Sequence, residues 1–537
     1  MNDAVIVNEA TTVMKGHTGL AIFIGLFVTA AVSLWLAPVK IVLLWTDVLI
    51  YILLITLVAF FSYVRGKEHL ALPWRQVLRR PLAMTALVIL SAYVSVGLLD
   101  SVHFRKALPM QAAIPAAVAA DNVEINTDSL AVSPPKKPAA TTAEAYYSVE
   151  VLSLLDVIAN PIRQHVEKSY SAPLAAHLFS KDTVEQQDGS TIRVYPRLKF
   201  GGAHLADPDT QRIPDIVQRT LSAVVFAMLA WLLVVVLWIV YLAGKQASSF
   251  SHQCRLILAG QTRLPWRTIF ATLAVLFLFA AIIVRLGIDY HLLGTDKVGN
   301  DVLFLSFKSI RTGLVIGTLT TLIMLPFAIL LGIMAGHFRG WVDDVIQYIY
   351  TTLSSIPGVL LIAAAILSVD LFITNNPELF ETVIERADIR LLFLCMILGI
   401  TSWTGLCRLL RGETLKLREL DYIQAAAAFG VGNMKIISRH ILPNVMHIVL
   451  IAIVLDFSGL VLAEAVLSYV GVGVDPSMVS WGNMINSARL EMAREPVVWW
   501  SLVAAFWFMF VLVLSANIFS DAVRDAFDPR VGLAGKD

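Results

Sequence analysis

The dominant pattern along the chain is a series of long, nearly uncharged apolar runs separated by shorter polar stretches. A helix needs about 20 apolar residues to cross a bilayer, and about ten runs approach that length. They lie at residues 20–37, 41–64, 82–99, 220–243, 268–286, 312–334, 348–369, 390–407, 446–466 and 497–517. The pattern therefore predicts an all-α polytopic membrane protein with about ten transmembrane helices in a lipid bilayer.

Composition agrees with a lipid environment and removes two other classes of protein. Of the 537 residues, 57% are hydrophobic and 15% are charged, whereas roughly 25% are charged in an average soluble domain. The net charge of +1 leaves no basic excess for binding nucleic acid. The chain holds three cysteines, which is too few for a disulfide scaffold.

The charges in the connecting loops predict how the chain is oriented. Basic residues collect after the second and fourth predicted spans, and acidic residues collect around 289–301 and 370–388. Because basic loops stay on the cytoplasmic side, both termini are predicted to be cytoplasmic. The first run is expected to be retained as a span, since residues 36–40 are a poor signal-peptidase site and a second apolar run follows at once.

Residues 100–219 differ from the apolar regions before and after them. A Pro-, Ala- and Lys-rich stretch at 109–140 predicts a flexible tether. The apolar spacing over 143–158 predicts an amphipathic helix, and the alternation over 191–200 predicts a strand. The loop charges place this small α+β domain outside the cytoplasm, inserted between the third and fourth spans.

The largest cytoplasmic loop, residues 408–445, has a helix–glycine–helix pattern. Asp421 is positioned to cap a helix that runs through four alanines, and Gly430 or Gly432 supplies the positive φ that ends it. A second short helix is expected to stop before Pro443. The pattern predicts a rigid turn at the cytoplasmic surface. Four alanines on their own are more typical of high helix propensity than of a docking face.

The residues of this loop resemble a known family. Gln424-Ala425-Ala426, Gly430 and Leu442-Pro443 are similar to the cytoplasmic EAA loop of bacterial ABC importer permeases. Further segments resemble the C-type inner-membrane subunit of oligopeptide and dipeptide importers: 294–303, 439–444, 462–468, 471–476, 480–484 and 527–530. The resemblance covers residues 287–532, which would form the permease core.

That resemblance implies a function and a set of partners. In the family, the loop is a coupling helix that sits in a cleft of the ATPase subunit. The matching positions here are Gln424, Ala425, Ala426, Gly430, His440, Leu442 and Pro443. The implied partners are a B-type permease, two ABC ATPase subunits and an extracytoplasmic solute-binding protein. The chain would form the path for peptides or similar small solutes across a bacterial inner membrane; peptides, nickel complexes and antibiotic peptides are all compatible cargoes.

The sequence departs from the family pattern in three places. Gln424 stands where Glu is usual, which removes an ion pair to the ATPase, and Asn300 stands where Arg is usual. The N-terminal membrane regions, 1–99 with three predicted spans and 220–286 with two, exceed the single helix that normally precedes the core. Residues 79–83 resemble the start of that helix, so we expect the additional domain and spans to be inserted after it.

The sequence was also searched for motifs of ATP binding, metal binding and nucleophilic catalysis. It contains no Gly-x-x-x-x-Gly-Lys-Ser/Thr motif, so ATP and Mg are expected on the partner ATPases. It shows neither a His/Glu metal pair at helical spacing nor a nucleophile elbow. The prediction is a transport subunit that is not an enzyme and carries no catalytic residue, cofactor or metal of its own.

Two carboxylates fall within the ninth predicted span. At membrane depth a carboxylate costs a few kcal/mol unless it faces protein or water. Asp456 and Glu464 are therefore candidates for a polar wall of the translocation path, with Trp481 in a loop that dips back as an external gate. A structural hydrogen bond is the alternative for Glu464. A proton-coupled secondary transporter using both carboxylates is the alternative function, although it predicts inverted repeats that the sequence does not show.

Four residues in or just before the sixth and seventh predicted spans carry simpler expectations. Lys308 and Arg311 are expected to extend to the outer membrane interface, as long basic side chains do near the ends of spans. Pro326 and Pro357 are expected to kink the two helices.

Overall fold

The computed structural model describes residues 39–65, 68–107, 147–185, 191–246, 248–380 and 382–527. Three predictions lie outside the described residues: the first span at 20–37, the tether at 109–140 and the last three residues of the motif at 527–530.

The described chain is predominantly helical. Before the inserted part come α1 (Trp45–Arg65), α2 (Glu68–Arg79) and α3 (Pro81–Asp100). Then come two short helices, α4 (Leu154–Ile158) and α5 (Asn160–Arg163), and three longer ones, α6 (Pro208–Lys245), α7 (Phe250–Ala259) and α8 (Trp266–Leu286). The remaining helices are α9 (Val302–Phe338), α10 (Trp341–Ser355), α11 (Gly358–Asn375), α12 (Val383–Ser402), α13 (Thr404–Arg418), α14 (Asp421–Ala428), α15 (Asn433–Ile436), α16 (Leu442–Val470), α17 (Trp481–Glu491) and α18 (Trp500–Phe527).

Among the described residues, eight helical segments are long and apolar enough to cross a membrane. They are α3, α6, α8, α9, α11, the pair α12–α13, the pair α15–α16 and α18. A further apolar stretch, Trp45–Ala59 in α1, is shorter. The predicted all-α polytopic membrane fold is confirmed.

Two small sheets lie outside these helices. Strands β1 (Val39–Val42), β2 (His103–Lys106) and β3 (Leu152–Ser153) form an antiparallel sheet in that order. Strands β4 (Asp182–Glu185) and β5 (Thr191–Val194) form an antiparallel pair. The first sheet joins the chain before α1 to the end of α3 and to the start of the inserted part.

Helix α9 is the centre of the bundle. It packs against α3, α12, α13, α16 and α18. Its contact with α13 is close because Gly336 has no side chain: a Cβ there would lie 2.6 Å from Cβ of Thr414. Small residues let membrane helices approach in this way. The additional helices α6 and α8 pack against each other, and α8 also contacts α3, so these two helices lie at the flank of the bundle.

Several predictions of local structure are wrong. Of the predicted helix at 143–158, residues 143–146 lie outside the described residues; within 147–158 the helix is limited to α4, because Ser153 forms a capping box with Asp156 and starts the helix there. The strand predicted over 191–200 ends at Val194. The run at 348–369 is broken: Pro357 precedes α11 instead of kinking a span, and Ile356 is extended, as expected for a residue before proline. Pro326 does lie inside α9.

The helix that starts at Asn433 does not stop before Pro443, contrary to expectation. Residues Ile437–Ile441 form a π-helical turn that leads directly into α16. Pro443 falls in the first turn of α16, where its missing N–H is tolerated. Residues Asn433–Val470 are therefore one continuous helical segment.

The expectation that Arg311 reaches the membrane interface is also wrong. Its guanidinium is only 4% exposed and lies 2.6 Å from Asp47 of α1 and 3.7 Å from Asp388 of α12. The backbone N–H of Thr46 donates to Asp388 at 3.1 Å, and His103 lies 2.8 Å from Asp47. Helices α1 and α12 are thus joined to α9 through a buried cation.

Lys308, one turn earlier on α9, is likewise paired and not free at an interface. Its ammonium lies 2.6 Å from Asp156 of α4 and 3.6 Å from Asp100 at the end of α3. Ser153 donates to Asp100 at 2.6 Å. Burial on its own would raise the pKa of Asp156, but Lys308 outweighs it and the pKa is lowered. The inserted part is therefore attached to α9 by a charge pair.

The described part of the insertion, residues 147–185 and 191–205, is called the inserted segment below. It packs on the loop before α9. The backbone N–H of Ser171 donates to the Thr295 hydroxyl at 2.7 Å, and that of Glu167 donates to the Gly299 carbonyl at 2.9 Å. Gly299 has φ +88°, and a Cβ there would lie 1.8 Å from the Glu167 carbonyl oxygen. Only glycine fits this contact.

A buried histidine lies in the same interface. His291 donates from Nδ1 to the Asp301 carboxylate at 2.7 Å, and its Nε2 lies 3.5 Å from Glu167. Burial would lower the pKa of His291, but the two carboxylates outweigh it and raise the pKa to about 9. Burial would raise the pKa of Glu167, but His291 and the backbone N–H groups of residues 199–201 lower it to about 2.

Removing the cation at Arg311 is expected to destabilise the chain strongly. Arg311→Ala leaves Asp47 and Asp388 buried without their partner, and breaking such a pair costs about 3–5 kcal/mol. The matched control is Arg80→Ala, because Arg80 also lies 2.6 Å from a carboxylate, that of Asp525, but both side chains are exposed. An exposed pair contributes at most about 1 kcal/mol. Thermal unfolding of the purified protein should separate the two variants; equal shifts would contradict the importance of the buried pair.

The His291 interface is expected to weaken at alkaline pH. Because the pKa of His291 is raised in the folded state, its stabilising contribution is complete below about pH 6.5 and is lost as the pH rises through about 9. Glu167, with a lowered pKa, keeps its contribution throughout that range. Hydrogen exchange of residues 165–205 should accelerate between pH 6.5 and 9 more than exchange elsewhere. In His291→Asn the extra acceleration should disappear; its persistence would show that another group titrates.

Candidate coupling surface and translocation path

The turn at residues 421–432 is built on a buried scaffold. Ile423 of α14 and Ile436 of α15 are buried, and they pack with Leu410 of α13 and Ile333 of α9 in one apolar cluster. Arg418, at the end of α13, donates to the carbonyl of His337 at 2.7 Å. The two short helices are therefore fixed to the ends of two long ones.

Of the two glycines predicted to supply the positive φ after α14, Gly430 is the one that does so. Its φ is +76°, and it follows directly after the end of α14. Gly432 instead has φ −62° and precedes α15 in an extended conformation. Asp421 is the first residue of α14 and makes no capping hydrogen bond, so its predicted role as a cap is wrong. Its charge in the first turn still favours the helix dipole.

The opposite face of the turn is open. Gln424, Ala425 and Gly430 are exposed, and Ala426 is half-buried. The most exposed apolar side chains of the turn are Phe429 at 88% and Met434 at 75%. Large apolar side chains exposed together at a polar surface are typical of a binding site. We call Tyr422, Gln424, Ala425, Phe429 and Met434 the coupling surface.

The later residues of the predicted coupling set lie next to this surface. His440 is half-buried in the π-helical turn, and its ring centre lies 6.0 Å from that of Tyr422. Asn444 donates to the Tyr422 hydroxyl at 3.0 Å and to the His440 carbonyl at 2.7 Å. Leu442 is half-buried and Pro443 exposed at the start of α16. The structure thus brings both halves of the predicted loop together.

Sequence reasoning missed a bidentate ion pair beneath the surface. Arg411 of α13 donates to both carboxylate oxygens of Asp343 in α10, at 2.6 and 2.7 Å. These hydrogen bonds hold the pKa of Asp343 below its usual value. The available signal was the acidic pair Asp343-Asp344, three and four residues after Gly340, which is typical of the first turn of a helix.

The candidate path residues occupy two different environments. Asp456 is half-buried on α16. Glu464, two turns later, is only 2% exposed and accepts hydrogen bonds from Ser468 at 2.8 Å and from Ser480 at 3.1 Å. Trp481 is 1% exposed, and its Nε1 donates to the Ser306 carbonyl at 3.1 Å. Glu464 and Trp481 therefore lie in the packed junction between α16, α17 and α9.

The arrangement offers no metal chemistry in the part of the chain that the structure describes. No group of three or more His, Cys, Asp or Glu side chains is close enough there to hold a metal ion.

Known proteins resemble the second half of the chain. Residues 328–533 match the family model of the binding-protein-dependent transport system inner membrane component. The oligopeptide transport system permease protein OppC of Haemophilus influenzae is 32% identical over 241 residues, which are 45% of this chain and 71% of that protein. The glutathione transport system permease protein GsiD of Pectobacterium atrosepticum is 30% identical, over 45% of this chain and 73% of that protein.

A third relative, the dipeptide transport system permease protein DppC of Bacillus subtilis, is 27% identical over 45% of this chain and 69% of that protein. The matched lengths leave more than half of this chain outside the similarity, in agreement with an added N-terminal region. The chain belongs to the family of inner membrane components of binding-protein-dependent transport systems, and within that family it resembles the C-type permeases of peptide importers.

Proposed function

We propose that the chain is the C-type permease subunit of an ATP-driven importer for peptides or similar small solutes. The observation that carries the proposal is the coupling surface, an exposed turn fixed to the ends of the two long helices α9 and α13 within the region that matches the family. Its occupant would be one of two ABC ATPase subunits, which bind ATP and Mg. A B-type permease would complete the path, and an extracytoplasmic solute-binding protein would deliver the cargo.

The continuous helical segment Asn433–Val470 supports a mechanical role for the coupling surface. Met434 lies near its first residue, and Glu464 lies in its last two turns. A helix of 38 residues is about 57 Å long at 1.5 Å per residue. Closure of the ATPase would push the coupling surface, and the helix would carry that displacement to the Glu464 junction at its other end.

The presence of Gln424 instead of Glu fits this role. The side-chain amide of Gln424 donates to the carbonyl of Glu419 at 3.1 Å, a hydrogen bond that a carboxylate is unable to donate. The amide therefore braces the start of α14. The side-chain oxygen of Gln424 is left to accept a hydrogen bond from the ATPase.

The direction of α9 supports the proposed orientation. Its first turns carry Lys308, which pairs with the inserted segment, and its last turn carries His337, which accepts from Arg418 beneath the coupling surface. The inserted segment and the coupling surface are thus at opposite ends of one long helix. With the coupling surface in the cytoplasm of a bacterial cell, the inserted segment would lie outside the inner membrane. The proposal that both termini are cytoplasmic also requires the predicted span at 20–37, which lies outside the described residues.

A proton-coupled mechanism is not favoured. A proton relay through Glu464 requires a route for the proton to and from that carboxylate, whereas the junction around it is filled by Ser468, Ser480 and Trp481. The structure supports a positioning role for Glu464 and leaves Asp456 as the candidate polar group of the path.

Substituting Gly430 is expected to uncouple ATP hydrolysis from uptake. In Gly430→Val a β-branched residue must adopt φ +76°, which costs roughly 1–2 kcal/mol. The turn then loses its native conformation, and uptake per ATP should fall by about tenfold. Gly432→Ala is the matched control, because Gly432 has an ordinary φ and open space around it. Proteoliposomes of the four-subunit complex provide the measurement; an unchanged ratio in Gly430→Val would refute the docking role.

Substitutions of Glu464 separate the positioning role from a path role. Gln retains an oxygen that accepts from Ser468 and Ser480, so Glu464→Gln should keep most of the uptake. Glu464→Ala leaves both hydroxyls without their acceptor and should lower thermal stability by about 1–3 kcal/mol. If Glu464→Gln lost uptake at unchanged stability, the ionised carboxylate would have to act in the path itself.

A further inference from the structure

Beside the loop before α9, the inserted segment also contacts α17 and the start of α18. Tyr170 is buried, and its hydroxyl donates to Glu491 at 3.2 Å. Glu491 is the last residue of α17 and is 3% exposed. The guanidinium of Arg494 lies over the Tyr170 ring, 5.1 Å from its centre. One side chain of the inserted segment thus holds the end of α17.

A second aromatic contact lies beside the first. The ring of Phe179 meets that of Trp500, the first residue of α18, edge to face at 4.8 Å. The backbone N–H of Phe179 donates to the carbonyl of Tyr170 at 3.0 Å, so the two aromatic residues are fixed to each other. Trp500 in turn donates to the carbonyl of Thr295 at 2.9 Å. The connection from α17 to α18 is therefore held at both ends by the inserted segment.

Helix α17 is held at its other end by α16. Ser480 caps the N-terminus of α17 through the backbone N–H of Asn483 and also donates to Glu464. Because α16 continues from the coupling surface, it is the helix that would carry the ATPase displacement. Helix α17 therefore lies between α16 and the inserted segment.

We propose that Tyr170 is a positioning residue of the transport cycle: its hydroxyl fixes Glu491, and the inserted segment thereby sets the position of α17 relative to α16. This inference rests on the proposed function of the chain as an importer permease. It assigns to the inserted segment a role in the movement of the core, in addition to its attachment to α9.

The charges around Glu491 provide a specific readout. Burial raises the pKa of Glu491; the Tyr170 hydroxyl lowers it, Asp296 raises it, and Lys297 and Arg494 lower it. Among the described residues, Oε2 of Glu491 has no hydrogen-bond partner, so Oε1 and Tyr170 carry the contact. Replacing Tyr170 with Phe removes a group that favours the carboxylate. Glu491 should then become protonated at a higher pH.

The test is the pH profile of ATP-driven uptake by the four-subunit complex in proteoliposomes. In Tyr170→Phe the acidic limb should move upward by about one pH unit, the size expected for one lost hydrogen bond to a charged group. Tyr290→Phe is the matched control. It removes the same atom from a tyrosine that donates to the carboxylate of Asp215 at 2.8 Å, away from α17, and its profile should equal that of the wild type.

Glu491→Gln provides a second variant. Its uptake should be reduced across the whole range and should lack the acidic limb. An unchanged profile in Tyr170→Phe, an equal shift in Tyr290→Phe, or a wild-type limb in Glu491→Gln would each overturn the proposal. Failure of the wild-type complex to take up solute with ATP would instead overturn the proposed function, so the two failures are distinguishable.

Discussion

The fold depends on the neutralisation of two cations on the first turns of α9. Arg311 is nearly excluded from solvent, and a buried unpaired charge costs several kcal/mol. Its partners come from α1 and α12, and those of Lys308 come from α3 and α4. The ion pairs of these two cations hold α1, α3, the inserted segment and α12 around the N-terminal end of α9.

The inserted segment and the coupling surface are held at opposite ends of α9. At one end of α9, ion pairs and the His291 interface hold the inserted segment, while at the other end Arg418 and the apolar cluster hold the coupling surface. The segment Asn433–Val470 runs between the two ends without a break, because a π-helical turn accommodates Pro443. In the proposed mechanism, a displacement at the coupling surface would reach Glu464 and α17, where the inserted segment would also act through Tyr170.

The sequence predicts those parts of the fold that depend on local composition. Apolar run length predicts the all-α polytopic membrane fold, although not the exact bounds and number of its spans. The sequence offered two glycines for the positive φ of the turn, and Gly430 adopts it. The failures share a cause. Arg311 was assigned to the membrane interface because its partner Asp47 lies 264 residues away, so no local pattern reveals the pair. The break at Pro357 was hidden within an uninterrupted apolar run, and the extension past Pro443 depends on a π-helical turn that has no simple sequence signal.

The candidate site was predicted to a similar extent. The resemblance identified the residues around Gln424 and Gly430, but which side chains are exposed depends on packing against α9 and α13. Phe429 and Met434 were therefore missed. Glu464 makes the kind of structural hydrogen bond that was its alternative role, and only the partners Ser468 and Ser480 were not named from the sequence.

The central claim is that this permease is driven by ATPases acting on its coupling surface. The most direct measurement is accumulation of a labelled peptide in proteoliposomes that contain this chain, its B-type partner, the ATPases and the binding protein. The account predicts accumulation above the external concentration only when ATP, the ATPases and the binding protein are all present. Accumulation by this chain without ATPases, driven by a proton gradient, would contradict it.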